Sequence, residues 1–314
     1  MKKRNLIVVV FISILFALPL SEIKAQTFNR VGVYDEEHIP ARKPKSYYYL
    51  QESDVMWRKR IWRIVDLREK MNQPLYFPIE PMEDRMSLIS LILRAQQGLL
   101  DEQTDRLPNA ESPNPRLDPK SQKLPIIQLY DDEYFKKVLT ISDVESKFGV
   151  TETTQVITDP VTGRQIEQKS KTEVRPDEIL QWIIKEDWYF NKIRSTLEVR
   201  IIGMGAIRHY IPPQSGTTDP DDAEIRVAKV FWVYFPEIRP LLAKYSVFNF
   251  GNDAERRSFD DVFQKRMFNS YISQESNVYS DRPIEDYELG IYGLWEADNI
   301  KNRIFNFEQD LWVY

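Results

Sequence analysis

The chain has 314 residues, 42% apolar and 29% charged, with 16 Tyr, 16 Phe, 7 Trp, no Cys and a formal net charge of −5. That is globular composition, and the lack of Cys excludes a disulfide framework, a thiolate zinc site, an iron–sulfur cluster, a thiol nucleophile and a lipid-modified N-terminal Cys. Only His38 and His209 supply imidazoles, so a multi-histidine centre is excluded and a general base would have to be a carboxylate, a Lys or a Tyr.

Lys2, Lys3 and Arg4 precede an uncharged apolar run over residues 6–20 and a polar segment over residues 21–26, the layout of a signal peptide. Fifteen helical residues reach only about 22 Å against roughly 30 Å of hydrocarbon, which suits export better than a permanent span. Ala25 is small enough for the last residue before the cut, although Ile23 is larger than preferred two positions upstream, so the cut can shift. Removing residues 1–25 takes away four basic groups and one acidic group and leaves a formal charge of −8. An acidic product disfavours nucleic acid, whose binding rests on neutralising phosphates. Because no later stretch is long and apolar enough to span, the mature chain is expected in the periplasm or outside the cell.

Residues 26–46, with Pro40 and Pro44 between charges, read as an extended arm. Residues 47–100 read as a helical N-terminal region. Ser53 caps its first helix, expected over 53–71, in which Trp57, Ile61, Ile64, Val65 and Arg68 recur at helical spacing until Asn72 and Pro74 end it. A second helix is expected over 84–100, with Met86, Ile89, Ile92 or Leu93, and Leu99 or Leu100 along one wide face. Residues 101–123 carry Pro108, Pro113, Pro115 and Pro119 and three apolar residues, too few to fold alone, and read as an exposed linker or a long loop over a core.

Residues 124–314 read as an α+β region of mixed helices and antiparallel strands. Asp131-Asp132-Glu133 suits a helix start. Residues 150–174 form two Thr- and Val-rich runs around Asp159-Pro160-Val161-Thr162-Gly163-Arg164, an exposed β-hairpin with a Pro/Gly turn. Pro176 and Asp177 are expected to open a helix through Ile184. Strands are expected over 198–211 and 223–235, joined by a loop over 212–222. Ser258 and Asp261 resemble a capping box for a helix carrying Phe259, Val262 or Phe263, Met267 and Tyr271 on one face. A last helix over 297–311 aligns Ile300, Ile304, Phe307 and Leu311. Without regular β-α alternation, α+β is favoured over a doubly wound sheet.

Chemical motifs are scarce. Gly203-Met204-Gly205-Ala206-Ile207-Arg208 begins like a dinucleotide loop but has Arg208 at the third glycine position and reads as strand, where small residues let another backbone pass close. Asp219, Asp221, Asp222 and Glu224 lack the glycine-centred spacing of a calcium loop. His209 has no second His and no nucleophile pattern, and reads as a hydrogen-bonded structural side chain. No catalytic, cofactor or metal residues are assigned.

Opposite charge concentrates in Trp57-Arg58-Lys59-Arg60-Ile61-Trp62-Arg63. Residues 53–71 carry six basic against three acidic groups, within an acidic chain. Trp57, Arg58, Lys59, Arg60, Trp62 and Arg63 are therefore the candidate partner-binding residues, on a helix that docks against an acidic surface. A solvated basic face over a buried Trp face, or contact with anionic lipid, fits the same pattern.

Several aromatic-rich blocks also carry a family resemblance. Asp54-Val55-Met56-Trp57, Lys59 to Arg63, Asp66-Leu67-Arg68-Glu69-Lys70-Met71-Asn72 and Pro74-Leu75-Tyr76-Phe77-Pro78 resemble the GldN gliding-motility family, called PorN in non-gliding bacteria. So do Glu186-Asp187-Trp188-Tyr189-Phe190, Val199-Arg200-Ile201-Ile202-Gly203, Phe231-Trp232-Val233-Tyr234-Phe235-Pro236-Glu237, Phe259-Asp260-Asp261-Val262-Phe263 and the ending Glu308, Asp310, Leu311, Trp312. Arg58 stands where the family has a small polar residue. The resemblance implies a non-enzymatic periplasmic component of the type IX secretion system. It further implies assembly in a ring with the outer-membrane lipoprotein GldK/PorK, contact with the motor protein GldM/PorM, no cofactor, and only indirect membrane association. A carboxylate-dependent hydrolase and a glycan-binding module are the alternatives from composition, requiring respectively a cleft with paired acids and exposed Trp or Tyr rings.

Overall fold

The computed structural model describes residues 43–81, 85–98, 100, 126–150, 152–158, 165–171, 174–211, 225–252 and 255–311. The expected signal peptide, most of the arm, the Pro-rich segment over 101–123 and the acidic residues Asp219 to Glu224 lie outside them.

The strands are β1 Val55–Asp66, β2 Leu129–Tyr130, β3 Val138–Leu139, β4 Glu152–Thr158, β5 Gln165–Lys171, β6 Ile179–Asn191, β7 Thr196–Tyr210, β8 Arg226–Tyr234, β9 Ser246–Val247, β10 Arg257–Ser258 and β11 Tyr271–Glu275. The helices are α1 Gln73–Tyr76, α2 Leu88–Gln97, α3 Ile141–Lys147, α4 Phe235–Leu242, α5 Phe259–Gln264 and α6 Ile291–Asp310. A seven-stranded sheet in the order β11-β1-β6-β7-β8-β2-β3 forms the frame. All its pairings are antiparallel, and the class is α+β.

Two expected helices are strands. The segment over 53–71 is a short 3-10 turn, Glu52–Asp54, followed by β1, and the segment after Pro176 is a 3-10 turn, Pro176–Glu178, followed by β6. Trp57, Ile61 and Val65 are four residues apart, which puts them on one face in either conformation. The residues between them decide: Trp62 and Ile64 are buried too, on the opposite face. A segment buried on both faces fits the centre of a sheet covered on both sides. Residues 47–100 are thus not an all-helical region, because β1 pairs with β6 along nearly its whole length.

The remaining elements show which signals were local. The hairpin forms as expected, with β4 and β5 paired from Glu152↔Lys171 to Thr158↔Gln165. Its turn and side-chain exposure lie outside the described residues. Ser258 Oγ accepts from the Asp261 N–H while the Asp261 carboxylate accepts from the Ser258 N–H, closing the capping box of α5. The expected helix over 84–100 begins at Leu88, because Ser87 Oγ caps it, and ends at Gly98, whose φ of 68° turns the chain left-handed. Asp131-Asp132-Glu133 is a turn between β2 and β3, not a helix start. The strand expected through Phe235 stops at Tyr234, and Phe235-Pro236 opens α4.

One face of the sheet carries Val65, Trp182, Ile184, Met204, Phe231 and Val233, covered by α2, α4 and α5 in the main core. Along the same face toward β11, α6 covers Ile61 and Ile272 with Ala297, Ile300 and Ile304. The opposite face holds a smaller cluster of Trp62, Ile183, Ile207 and Trp232, joined by Tyr130 and Phe135. A Cβ at Gly203 would lie 2.3 Å from Phe135 Cζ, and one at Gly205 would lie 2.7 Å from Ile183 Cγ2 and 3.0 Å from the Trp232 ring. These glycines make room for aromatic rings on the smaller cluster, rather than chiefly for a passing backbone.

Candidate interaction surface

β1 places the six candidate residues alternately on the two faces of the sheet. Trp57 stacks on Phe307 of α6, with centroids 4.5 Å apart. Lys59 pairs with Glu275 of β11 at 3.5 Å. Arg60 forms a fork on Asp187, with Nε–Oδ1 at 2.6 Å and Nη2–Oδ2 at 2.8 Å. Trp62 is 1% exposed and donates its indole N–H to Glu133 at 2.9 Å. Only Arg58 projects widely, its side chain 59% exposed and 3.8 Å from Asp187. The basic run thus meets acidic groups of its own chain, brought beside it by strand pairing and by the turn after β2.

The most deeply enclosed of these contacts surrounds Glu186, which is 0% exposed. Arg63 lies 3.3 Å from it, an ion pair in which Arg63 Nε forms no well-aligned hydrogen bond. Arg266 approaches at 2.9 Å from the other side. The Trp188 indole donates to Glu186 Oε2 at 3.0 Å, and both guanidiniums lie against the Trp188 ring. β6 therefore carries three consecutive charges, with Glu186 toward the helices and Lys185 and Asp187 toward the other face. Lys185 is 2% exposed, donates to the Glu133 carbonyl at 3.1 Å and sits 4.6 Å from the Tyr134 ring centroid. Burial lowers its pKa below the ordinary lysine value.

Among the described residues, exposed apolar surface gathers on α6. Ala297, Ile300 and Ile304 form its buried side, while Ile291 is 68%, Leu294 52% and Trp295 61% exposed on the other. Leu289 and Tyr292 extend this patch, with Tyr292 edge-on to Trp295 at 5.5 Å. Sequence reasoning missed it by starting the helix at residue 297. The signal was present in the spacing of Ile291, Leu294 and Trp295, which puts a second apolar stripe on the side away from Ile300 and Ile304.

Among the described residues no group of three or more His, Asp or Glu is placed to hold a metal. A surface pocket is lined by Leu67, Arg68, Gln73, Tyr76, Phe77 and Leu180. Trp62, Trp182 and Trp232 are buried, whereas Trp295, Tyr292, Tyr279 and Tyr49 are more than half exposed, so ring exposure does not by itself separate a glycan-binding surface from a protein-binding one. His209 Nε2 lies 3.1 Å from Gln181 Oε1, and burial lowers its pKa, in keeping with a structural role.

Beside that pocket, Asp66 accepts from the Arg68 side chain and backbone, both at 2.9 Å, and from Gln181 at 3.2 Å. The Arg68 side-chain hydrogen bond is the leading influence holding its pKa down at about 2, from 3.8. A carboxylate with a folded pKa below its unfolded value contributes stability above about pH 4 that is lost as pH falls toward 2. Asp66→Asn should accordingly flatten the acid limb of stability in that interval, read as urea midpoints between pH 2 and pH 5. An unchanged slope would contradict the assignment.

Residues 50–313 match the family model described as gliding motility associated protein GldN. Comparison with curated proteins gives no match. Among the described residues no helix is long and apolar enough to cross a membrane.

Proposed function

The chain belongs to the GldN family of gliding-motility and type IX secretion components, and we propose that it is a non-enzymatic, exported subunit of that machinery. In this reading the lipoprotein GldK/PorK holds it in a ring at the inner face of the outer membrane, where it also meets the periplasmic part of GldM/PorM. The family match over residues 50–313 carries the reading. It is supported by the leader-like residues 1–25, by the lack of a lipid-accepting Cys, and by the apolar side chains of α6 that are exposed among the described residues. A contact role for β1 narrows to its exposed residues Met56 and Arg58.

Co-expression with the lipoprotein, followed by electron microscopy of the co-purified material, tests the assignment. Rings containing both proteins are expected, and Arg58→Glu should reduce the yield of complex several-fold without lowering the melting temperature. Absence of any complex would overturn the ring assignment. Unchanged assembly by Arg58→Glu would remove β1 from the contact surface.

A further inference from the structure

Residues 43–50 run over the fold without joining a helix or strand. Among the described residues they make no backbone–backbone hydrogen bond, and none of the eight is buried. Guanidiniums hold them instead. Arg239 of α4 donates to the Lys45 carbonyl and Arg200 of β7 to the Tyr48 carbonyl, each at 2.7 Å. The Tyr47 ring meets the same two guanidiniums, 4.2 Å and 5.0 Å from its centroid, and its hydroxyl accepts from Gln264 at the end of α5 at 2.7 Å. Arg194, in the turn between β6 and β7, reaches the Tyr48 ring at 4.5 Å. Arg239 is itself fixed by a fork on Asp260, both side chains less than a tenth exposed.

We propose that α4, α5 and β7 form a receptor for an extended, tyrosine-bearing chain segment, and that residues 45–48 of a second copy of this chain can fill it. This goes beyond the proposed function and does not depend on it. The contacts themselves select the occupant. Two carbonyls meet two guanidiniums and two rings meet three, so the receptor reads main chain and tyrosine at a set spacing. Every one of these contacts is made to side chains outside the segment, and all of them form equally well with the segment of another copy. Release costs little, because neither a sheet ladder nor a buried apolar side chain is lost. Residues 49–51 tether the segment to the 3-10 turn before β1, so a dilute copy fills its own receptor. Exchange takes over where one copy's own segment is disabled, or where neighbours are crowded to a local concentration on the order of millimolar.

Two variants of the whole exported chain test this. Tyr47→Ala/Tyr48→Ala keeps the receptor and disables the segment, while Arg194→Ala/Arg200→Ala keeps the segment and disables the receptor. Neither removes a buried side chain, so melting temperatures should stay close to the parent's. In sedimentation velocity an equimolar mixture should form a heterodimer that neither variant forms alone, and excess peptide of residues 43–50 should dissolve it. The same peptide carrying a fluorophore should bind Tyr47→Ala/Tyr48→Ala at least about tenfold more tightly than the parent, whose receptor is already filled. A peptide with both of these tyrosines replaced by Ala should not compete. A mixture that sediments as its separate components would overturn the exchange. Equal binding of the peptide to the parent and to Tyr47→Ala/Tyr48→Ala, or equal competition by the Ala-substituted peptide, would overturn the receptor.

Discussion

Glu186→Leu should lower folding stability by about 3–5 kcal/mol, the usual cost of stranding a buried charge when its partner is removed. Glu186 is wholly enclosed and stands between Arg63 and Arg266. Its loss leaves two guanidiniums against the Trp188 ring without a counter-charge and removes the acceptor of the Trp188 indole N–H. Equilibrium urea denaturation is the measurement. The cost comes from the stranded cations rather than from the network being a strong stabiliser, so Arg63→Met/Glu186→Leu/Arg266→Met should recover much of the loss. If the single and triple variants unfold alike, the cost lies in packing around β6 and the ion-pair account is wrong.

Trp62→Ala addresses the strand that the sequence singled out for docking. The structure buries Trp62 within the smaller cluster, hydrogen-bonds it to Glu133 and sets Lys185 5.3 Å from its ring centroid. Truncation should cost about 3–5 kcal/mol and lower the melting temperature by on the order of 10 °C. Assembly should fall only as far as the folded fraction falls. Ile291→Ser/Trp295→Ser on α6 should behave in the opposite way, with melting unchanged and association lost. A Trp62→Ala protein that melts normally but fails to assemble would return Trp62 to the contact surface.

Local signals in the sequence were legible where a few neighbouring residues suffice. Ser258 with Asp261, the Thr- and Val-rich runs on either side of residues 159–164, and the strand expected over 198–211 each predicted the element found. β1 and β6 were misread because their apolar residues face both sides of the sheet. Burial on both faces erases the two-residue period, and Trp57, Ile61 and Val65 imitate a helix. Their β-branched and aromatic content was the better guide. The charge excess around Arg60 was real, but its counter-ions Asp187, Glu275 and Glu186 come from strands distant in sequence, which a local window does not contain. For α6, periodicity revealed the stripe through Ile300 and Ile304, while only packing shows that this side meets β11 and that Ile291, Leu294 and Trp295 do not.

The three successive charges of β6 also fix its register. In an antiparallel sheet an off-by-one alignment exchanges the two sides of a strand. Such a slip would thrust Lys185 and Asp187 into the oily layer beneath the helices and swing Glu186 away from its guanidiniums, three penalties from one error. The triplet thus penalises a slipped alignment three times over, and β6, third of the seven strands, has one acceptable position.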